Sequence, residues 1–312
     1  QSIRISQQFR PKQYDLTLQI NPQLKTVEGQ LVILGERRFK PSSRITLHQT
    51  GLRVKWAKVF LIAKDGEQEL EVERLVHHNK FQELRIHTKQ RIESAKYRIE
   101  LTYSTKINTQ TTTGLYLSSW HDQNGEVHEL ITSQLQPSYA RSIFPCIDEP
   151  EAKAVFNLTL IQPETDSTIS RTTLFNTPVD LTESKGGQSL TKFKPTPVMS
   201  SYLLALVIGQ LESVSALSKR GVRASLYATP NKIEHATFGL EYAVKVLDFL
   251  EDYFKVEYPL EKCDLVAVPD FESGGMENWG LITFREDLLL FDDELSTLSD
   301  KQAIALTIAH EI

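Results

Sequence analysis

The sequence predicts a mainly β amino-terminal part, built of antiparallel sheets or a sandwich, followed by an α+β part. Three observations carry this prediction. Apolar and polar residues alternate over several stretches of the first two hundred residues, the period of a half-buried strand. Glycine-bearing turn pairs separate those stretches, as between the strands of an antiparallel sheet. Beyond residue 211 the apolar spacing changes to threes and fours, the period of a helix face. A chain of 312 residues has the length of about two domains. The predicted boundary separates 1–211 from 212–312.

The elements follow in order. Tyr14, Leu16, Leu18 and Ile20 alternate with Asp15, Thr17 and Gln19, a strand. Val54 to Ile62 and Glu69 to Val76 are further strands, with Asp65-Gly66 turning between them. His77-His78-Asn79 reads as a turn. Adjacent side chains on an extended chain point to opposite faces, so its two histidines are solvated rather than joined on a metal. Ile99, Leu101 and Tyr103 repeat the alternation, as do Phe156, Leu158 and Leu160. Asn124-Gly125 and Gly186-Gly187 are turn signals, the latter inside a loop from Ser184 to Ser189. The character changes between Gly209 and Arg220, and Val222 to Tyr227 is a short β stretch. Thr229-Pro230 then reads as a helix N-cap with proline at the first helical position. Ala236, Leu240, Ala243, Leu247, Leu250 and Phe254 share one face of that helix, and Pro259 lies beyond its end. Leu265 to Val268 is a short apolar strand. A second helix starts near Ser299, with Gln302 reaching back in a capping box, and runs through Ile304 and Ile308.

Composition narrows the function. Apolar residues at 40% and charged residues at 24% are ordinary for a globular protein. Lys and Arg number 35 against 40 Asp and Glu, a net charge of −5. No basic excess is available to displace counterions, so nucleic acid is not expected as a partner. Cys146 and Cys263 cannot build a disulfide framework or a cysteine-only zinc site, and read as buried, inert thiols. The longest wholly apolar run, Tyr202 to Ile208, is far short of the ~18 residues of a membrane span. No signal peptide opens the chain. Few cysteines and no such signal point to the cytoplasm. A first residue Gln1 and a last residue Ile312 inside a predicted helix suggest a piece of a longer protein.

The least ordinary stretch is Pro269-Asp270-Phe271-Glu272-Ser273-Gly274-Gly275-Met276-Glu277-Asn278-Trp279-Gly280. Its glycine pair leaves a backbone without Cβ cover, against which a ligand chain can lie. Glu277 follows two residues later. Taken by itself the stretch is equally a tight turn with a solvated glutamate. His310-Glu311 closes the second helix. In H-E-x-x-H two histidines one helical turn apart bind one zinc ion and the glutamate holds the attacking water. The pair alone reads as a surface His and Glu.

Together these features closely resemble the aminopeptidase N family of zinc peptidases, a gluzincin group. The family signature G-x-M-E-N matches Gly274-Gly275-Met276-Glu277-Asn278, with Pro269-Asp270-Phe271 and Trp279-Gly280 flanking it. His310 follows Glu277 by 33 residues, where the family begins its H-E-x-x-H. Ser133-Gln134-Leu135-Gln136, then Ala140-Arg141 and Phe144 through Pro150, resemble the family's segment ahead of the catalytic core. The likeness covers the chain from the Tyr14 strand onward.

The resemblance implies a saddle-like β domain followed by the opening of a thermolysin-like catalytic domain. It implies release of amino-terminal residues from peptides with a free N-terminus, with one zinc ion. By the same likeness His310 is the first zinc ligand and Glu311 the general base. Glu277 recognises the substrate α-amino group. Gly274, Gly275 and Met276 form the strip that aligns the peptide, and Gln136 contacts the amino terminus. Gln134 would share a strand face with Gln136, and either is equally read as structural. The family's second histidine, its glutamate ligand and its tyrosine have no counterpart before residue 312. The 312 residues by themselves are therefore expected to be inactive, to hold zinc weakly and to be poorly ordered at the C-terminus. Asp270 and Glu272 are expected to satisfy nearby backbone, and Asn278 to orient its loop. Arg141, Asp148 and Glu149 should pair as buried charges between domains. No metal role is expected of His235. Two other readings are a scaffold relative that has lost its metal site, and a bifunctional aminopeptidase and epoxide hydrolase.

Overall fold

The computed structural model describes residues 4–38, 41–164 and 171–312. The chain forms two compact units. The first comprises Gln1–Ile107, Leu135–Glu164 and Val179–Tyr202, and the second Asn108–Gln134, Thr165–Pro178 and Leu203–Ile312.

The first unit is all β apart from short 3-10 turns. Its main sheet has eight strands, in the order Val179–Lys185, Gln188–Phe193, Val155–Pro163, Phe9–Asn21, Thr26–Arg37, Lys96–Lys106, Arg53–Ala63 and Gly66–Leu70. Neighbours are antiparallel except Phe9–Asn21 with Val155–Pro163, which run parallel. A second sheet joins Ser42–His48, Glu83–Ile92 and Val72–His78. The predicted alternation places Tyr14, Leu16, Leu18 and Ile20 in the core. Tyr14 stacks on Phe156 at 5.0 Å and meets Phe144 edge-on at 5.8 Å. Its hydroxyl accepts the Ile147 N–H at 3.0 Å, so the buried phenol is satisfied. Arg141 pairs with Asp148 at 2.9 Å, both shielded from water. Glu149 accepts the Ile5 N–H at 2.8 Å. These charges pair within one unit, where a pairing between domains was expected.

Three local expectations for this unit are corrected. Glu69 to Val76 is not one strand. It is divided between Gly66–Leu70 and Val72–His78, which belong to different sheets. His77 and His78 end a strand, and the turn comes one residue later, at Asn79–Phe81. Ser184 to Ser189 is not a loop but a hairpin whose turn is Gly186-Gly187 alone. Its outer strand, Val179–Lys185, is exposed throughout, so no apolar alternation marks it.

The second unit is α+β. A four-stranded sheet orders Thr172–Phe175, Leu206–Gly209, Val127–Gln134 and Gly114–His121. A five-stranded sheet orders Glu212–Leu217, Arg223–Ala228, Lys262–Val268, Leu281–Arg285 and Gly275–Met276. Lys262–Val268 runs parallel to both neighbours and is buried at every residue, which explains its continuous apolar run. Two helices, α1 (Thr237–Phe254) and α2 (Leu298–Glu311), pack with this sheet around one core.

Helix α1 starts later than its sequence suggests. The Thr229 carbonyl accepts the Lys232 N–H in a turn, and a 3-10 segment, Ile233–Ala236, precedes the α-helix. The predicted face is buried from Ala236 to Leu247, half-buried at Leu250 and lost at Phe254, which is 64% exposed. The capping box of α2 is formed by Thr297 and Asp300 rather than Ser299 and Gln302. No helix of the described residues is long and apolar enough to cross a membrane.

Candidate active site

The strip from Pro269 to Gly280 leaves the end of the buried Lys262–Val268 strand, and each section of it is fixed differently. At its start Asp270 accepts the Ser118 hydroxyl at 3.0 Å and the Ser119 N–H at 2.8 Å. The Tyr116 hydroxyl donates to the Asp270 carbonyl at 2.9 Å. Asp270 thus anchors the strip, as expected of an acid in a turn. In the middle, Gly275–Met276 pairs antiparallel with Phe284 and Thr283. The Arg285 N–H reaches the Gly274 carbonyl at 3.1 Å. Met276 is buried, with the Gln134 amide 3.6 Å from its sulfur. Its side chain therefore supports the strip from behind. Asn278 is also buried, donating to Thr283 Oγ1 at 3.3 Å, while its N–H reaches the Met276 carbonyl at 2.8 Å.

Helix α2 delivers the second group of residues. Ile304 and Ile308 are fully buried and fix the rotation of the helix. That rotation sets the last turn, with His310 and Glu311, beside the strip. The approach is close. A Cβ on Gly275 would lie 2.5 Å from both Cγ and Oε1 of Glu311. A Cβ on Gly274 would lie 3.1 Å from Leu288 Cδ1. Only a residue without a side chain at 275 leaves the Glu311 carboxylate where it stands.

Glu277, His310 and Glu311 line one cavity of about 350 Å³, with Tyr258, Asn278 and Trp279. Burial pushes the Glu311 carboxyl up; the His310 charge opposes this and the Glu277 charge adds to it. An imidazole nitrogen with a carboxylate beside it, open to one cavity, is the donor chemistry that zinc accepts. His310 would be one of the three protein donors that such an ion needs.

The structure brings together five of the seven site residues singled out from sequence: Gly274, Gly275, Glu277, His310 and Glu311. Met276 joins them through its backbone. Gln136 belongs to the first unit and is exposed there. It does not share a strand face with Gln134. The strand ends at Gln134, and Gln136 stands before Pro137, which has no N–H for a ladder. His235 Nε2 lies 3.7 Å from carboxylate oxygens of both Glu234 and Asp292.

Sequence reasoning missed the residues that hold the far end of the strip. The Lys262 ammonium is buried and donates to the Gly280 carbonyl at 2.7 Å, the Phe175 carbonyl at 2.8 Å and Asp264 at 2.6 Å. Asn176 donates to the Trp279 carbonyl at 2.8 Å. The Tyr258 hydroxyl accepts the Gly280 N–H at 3.2 Å. The signal available was a lysine and an aspartate opening an apolar strand two residues apart, hence on one face.

A second group of possible metal donors, Asp122, Glu126 and His128, has its ligand atoms within 4.8 Å of one another. It sits at the turn between Gly114–His121 and Val127–Gln134. Asp122 is already occupied there, accepting the Asn124 and Glu126 N–H groups.

Comparison with known proteins gives the family. The Peptidase M1 N-terminal domain matches residues 10–203, and the Peptidase family M1 domain matches residues 238–312. Endoplasmic reticulum aminopeptidase 1 of Homo sapiens is 37% identical over 310 residues, 99% of this chain and 32% of its own length. Aminopeptidase N of Lactococcus lactis subsp. lactis is 37% identical over 311 residues, 99% of this chain and 34% of its own. Aminopeptidase M1 of Arabidopsis thaliana is 33% identical over 308 residues, 97% of this chain and 33% of its own. The chain spans about a third of the length of these curated relatives. With both M1 domain models matching in order along the chain, the chain belongs to peptidase family M1.

Proposed function

We propose that the protein containing this chain is a zinc-dependent aminopeptidase that removes amino-terminal residues from peptides. One observation carries the reading: Glu277, His310 and Glu311 share a cavity, and the bare backbone at Gly275 lies against the Glu311 carboxylate. The names of the relatives, all aminopeptidases, support it. We also propose the division into a β-rich domain at 1–211 and the opening of a thermolysin-like catalytic domain at 212–312.

Each residue then has a physical task. Glu277 accepts charge-assisted hydrogen bonds from the substrate α-ammonium, which are about twice as strong as neutral ones. Fixing that ammonium decides which peptide bond enters the reaction, and so restricts cleavage to the first residue. The Gly274-Gly275 backbone lies alongside the peptide. Glu311 Oε1 takes a proton from the attacking water and returns it to the leaving amine. A zinc ion, which His310 would help to hold, would when bound supply a Lewis acid and a more acidic water. Gln136 is proposed as a further contact to the amino terminus on its motif alone.

The test compares leucyl p-nitroanilide with its N-acetyl form in the zinc-loaded full-length protein. The reading predicts release from the free amine alone, loss of activity with a chelator and recovery with zinc. Equal turnover of both substrates, or indifference to chelation, would overturn it.

A further inference from the structure

The Lys262–Asp264 pair is buried at the start of the central strand, its ammonium and carboxylate 2.6 Å apart. Removing two charges from water is costly, and well-packed apolar residues in their place are often as stable or more so. What the pair does is local. All three hydrogens of the Lys262 ammonium are used, on Gly280, Phe175 and Asp264. The Asp264 N–H also reaches the Gly280 carbonyl, at 3.1 Å. Both lone pairs of that oxygen are therefore engaged. Gly280 itself stands at φ +76°, and a Cβ there would lie 2.1 Å from the Asn176 carbonyl oxygen. The chain at this point has one position.

Glu277 is three residues upstream. Its carboxylate has no hydrogen-bond partner or ion pair among the described residues, so the polar contacts that place this residue are those of the backbone around it. That backbone is fastened at the Gly275–Met276 ladder, at Asn278 through Thr283, at the Trp279 carbonyl through Asn176, and at the Gly280 carbonyl, where Lys262 makes the charged bond. A recognition group must be held to within about 0.5 Å to select its ligand.

We propose that Lys262 is a positioning residue that, by fastening the Gly280 carbonyl, aims Glu277 at the α-ammonium of the substrate. This rests on the reading of Glu277 given above. Lys262 touches no substrate. It acts on amine recognition and leaves the metal-binding part of the site alone.

The test uses zinc-loaded full-length protein and isothermal titration calorimetry with two probes. L-leucine hydroxamate carries the α-amine; 4-methylpentanohydroxamic acid has the same chain and zinc-binding head without it. The proposal predicts that Lys262→Met weakens the first by at least about tenfold and the second by less than about twofold. Lys262→Met/Asp264→Asn, which removes both charges together, should give the same split. Equal weakening of both probes, or none, overturns the proposal. So does failure of both variants to yield folded, zinc-loaded protein, which would assign Lys262 to the fold. Glu277→Ala separates this inference from the reading beneath it. If Glu277→Ala leaves the preference for the amine intact, the role of Glu277 is wrong. If it abolishes the preference and Lys262→Met does not, only the role of Lys262 is wrong.

Discussion

Gly275 and Glu311 lie so close that a single added Cβ would come within 2.5 Å of the glutamate's Oε1. The residue that lends the strip its bare backbone and the residue proposed as the general base are thus sterically one unit. Gly275→Val is expected to push the Glu311 side chain out of place. Its end is flexible, so the fold should survive, as read by circular dichroism and thermal unfolding. kcat/KM should fall by at least about tenfold, ~1.4 kcal/mol. Unchanged kinetics would separate the two residues functionally.

Much of the site is legible in the sequence, and the reasons for the rest are physical. The strip is legible through its likeness to the family signature G-x-M-E-N, since by itself a glycine pair with a glutamate reads equally as a turn. The capping residue of α2 is missed by two positions, since Thr297 and Ser299 are both good caps and Asp300 and Gln302 both lie three residues on. The start of α1 is missed because Thr229 is buried and its carbonyl closes a turn. The parallel pairing of Phe9–Asn21 with Val155–Pro163 joins segments far apart in sequence, and no local pattern reports it. Lys262 lies ahead of the predicted Leu265 to Val268 strand and is assigned no role from sequence. Only the fold brings the Gly280 and Phe175 carbonyls to it.

The two cysteines should be silent. Both are fully buried; burial pushes the Cys263 thiol up to about 12 and the Cys146 thiol well above its ordinary range. Neither is a thiolate at neutral pH, and the thiolate is the reactive form. Ellman's reagent should find no thiol in the native chain and two in denaturant. Rapid reaction of a native thiol would show that one of these cores opens.

His48 gives stability a pH dependence of known sign. Burial pulls its imidazole below the usual 6.5, the Arg141 charge adds to this, and Glu149, Asp148 and Glu83 oppose it. Its Nδ1 accepts the Asp148 N–H at 3.1 Å, which requires the neutral ring at that atom. The native state thus binds fewer protons than the unfolded one below about pH 6.5. This contribution is intact above that pH and is lost as pH falls toward the depressed folded value. His48→Gln should make the stability curve between pH 7 and 5 shallower. An unchanged slope would show that the ring protonates freely in the native protein.

The described residues contain no group of three metal donors at His310; the one such group lies at the Asp122 turn. Catalytic zinc needs three protein ligands. A chain of residues 1–312 alone is therefore expected to hold zinc weakly and to release no amino acid from a peptide. Equilibrium dialysis should find no tight, stoichiometric zinc that depends on His310. One tightly bound ion abolished by His310→Ala would contradict this.

The central claim is that Glu277 holds the cationic start of the peptide, and kcat/KM of Glu277→Ala on an aminoacyl substrate tests it most directly. In the zinc-loaded full-length protein the account predicts a fall of at least about tenfold, ~1.4 kcal/mol, with zinc content unchanged. A variant as efficient as the parent enzyme would contradict it.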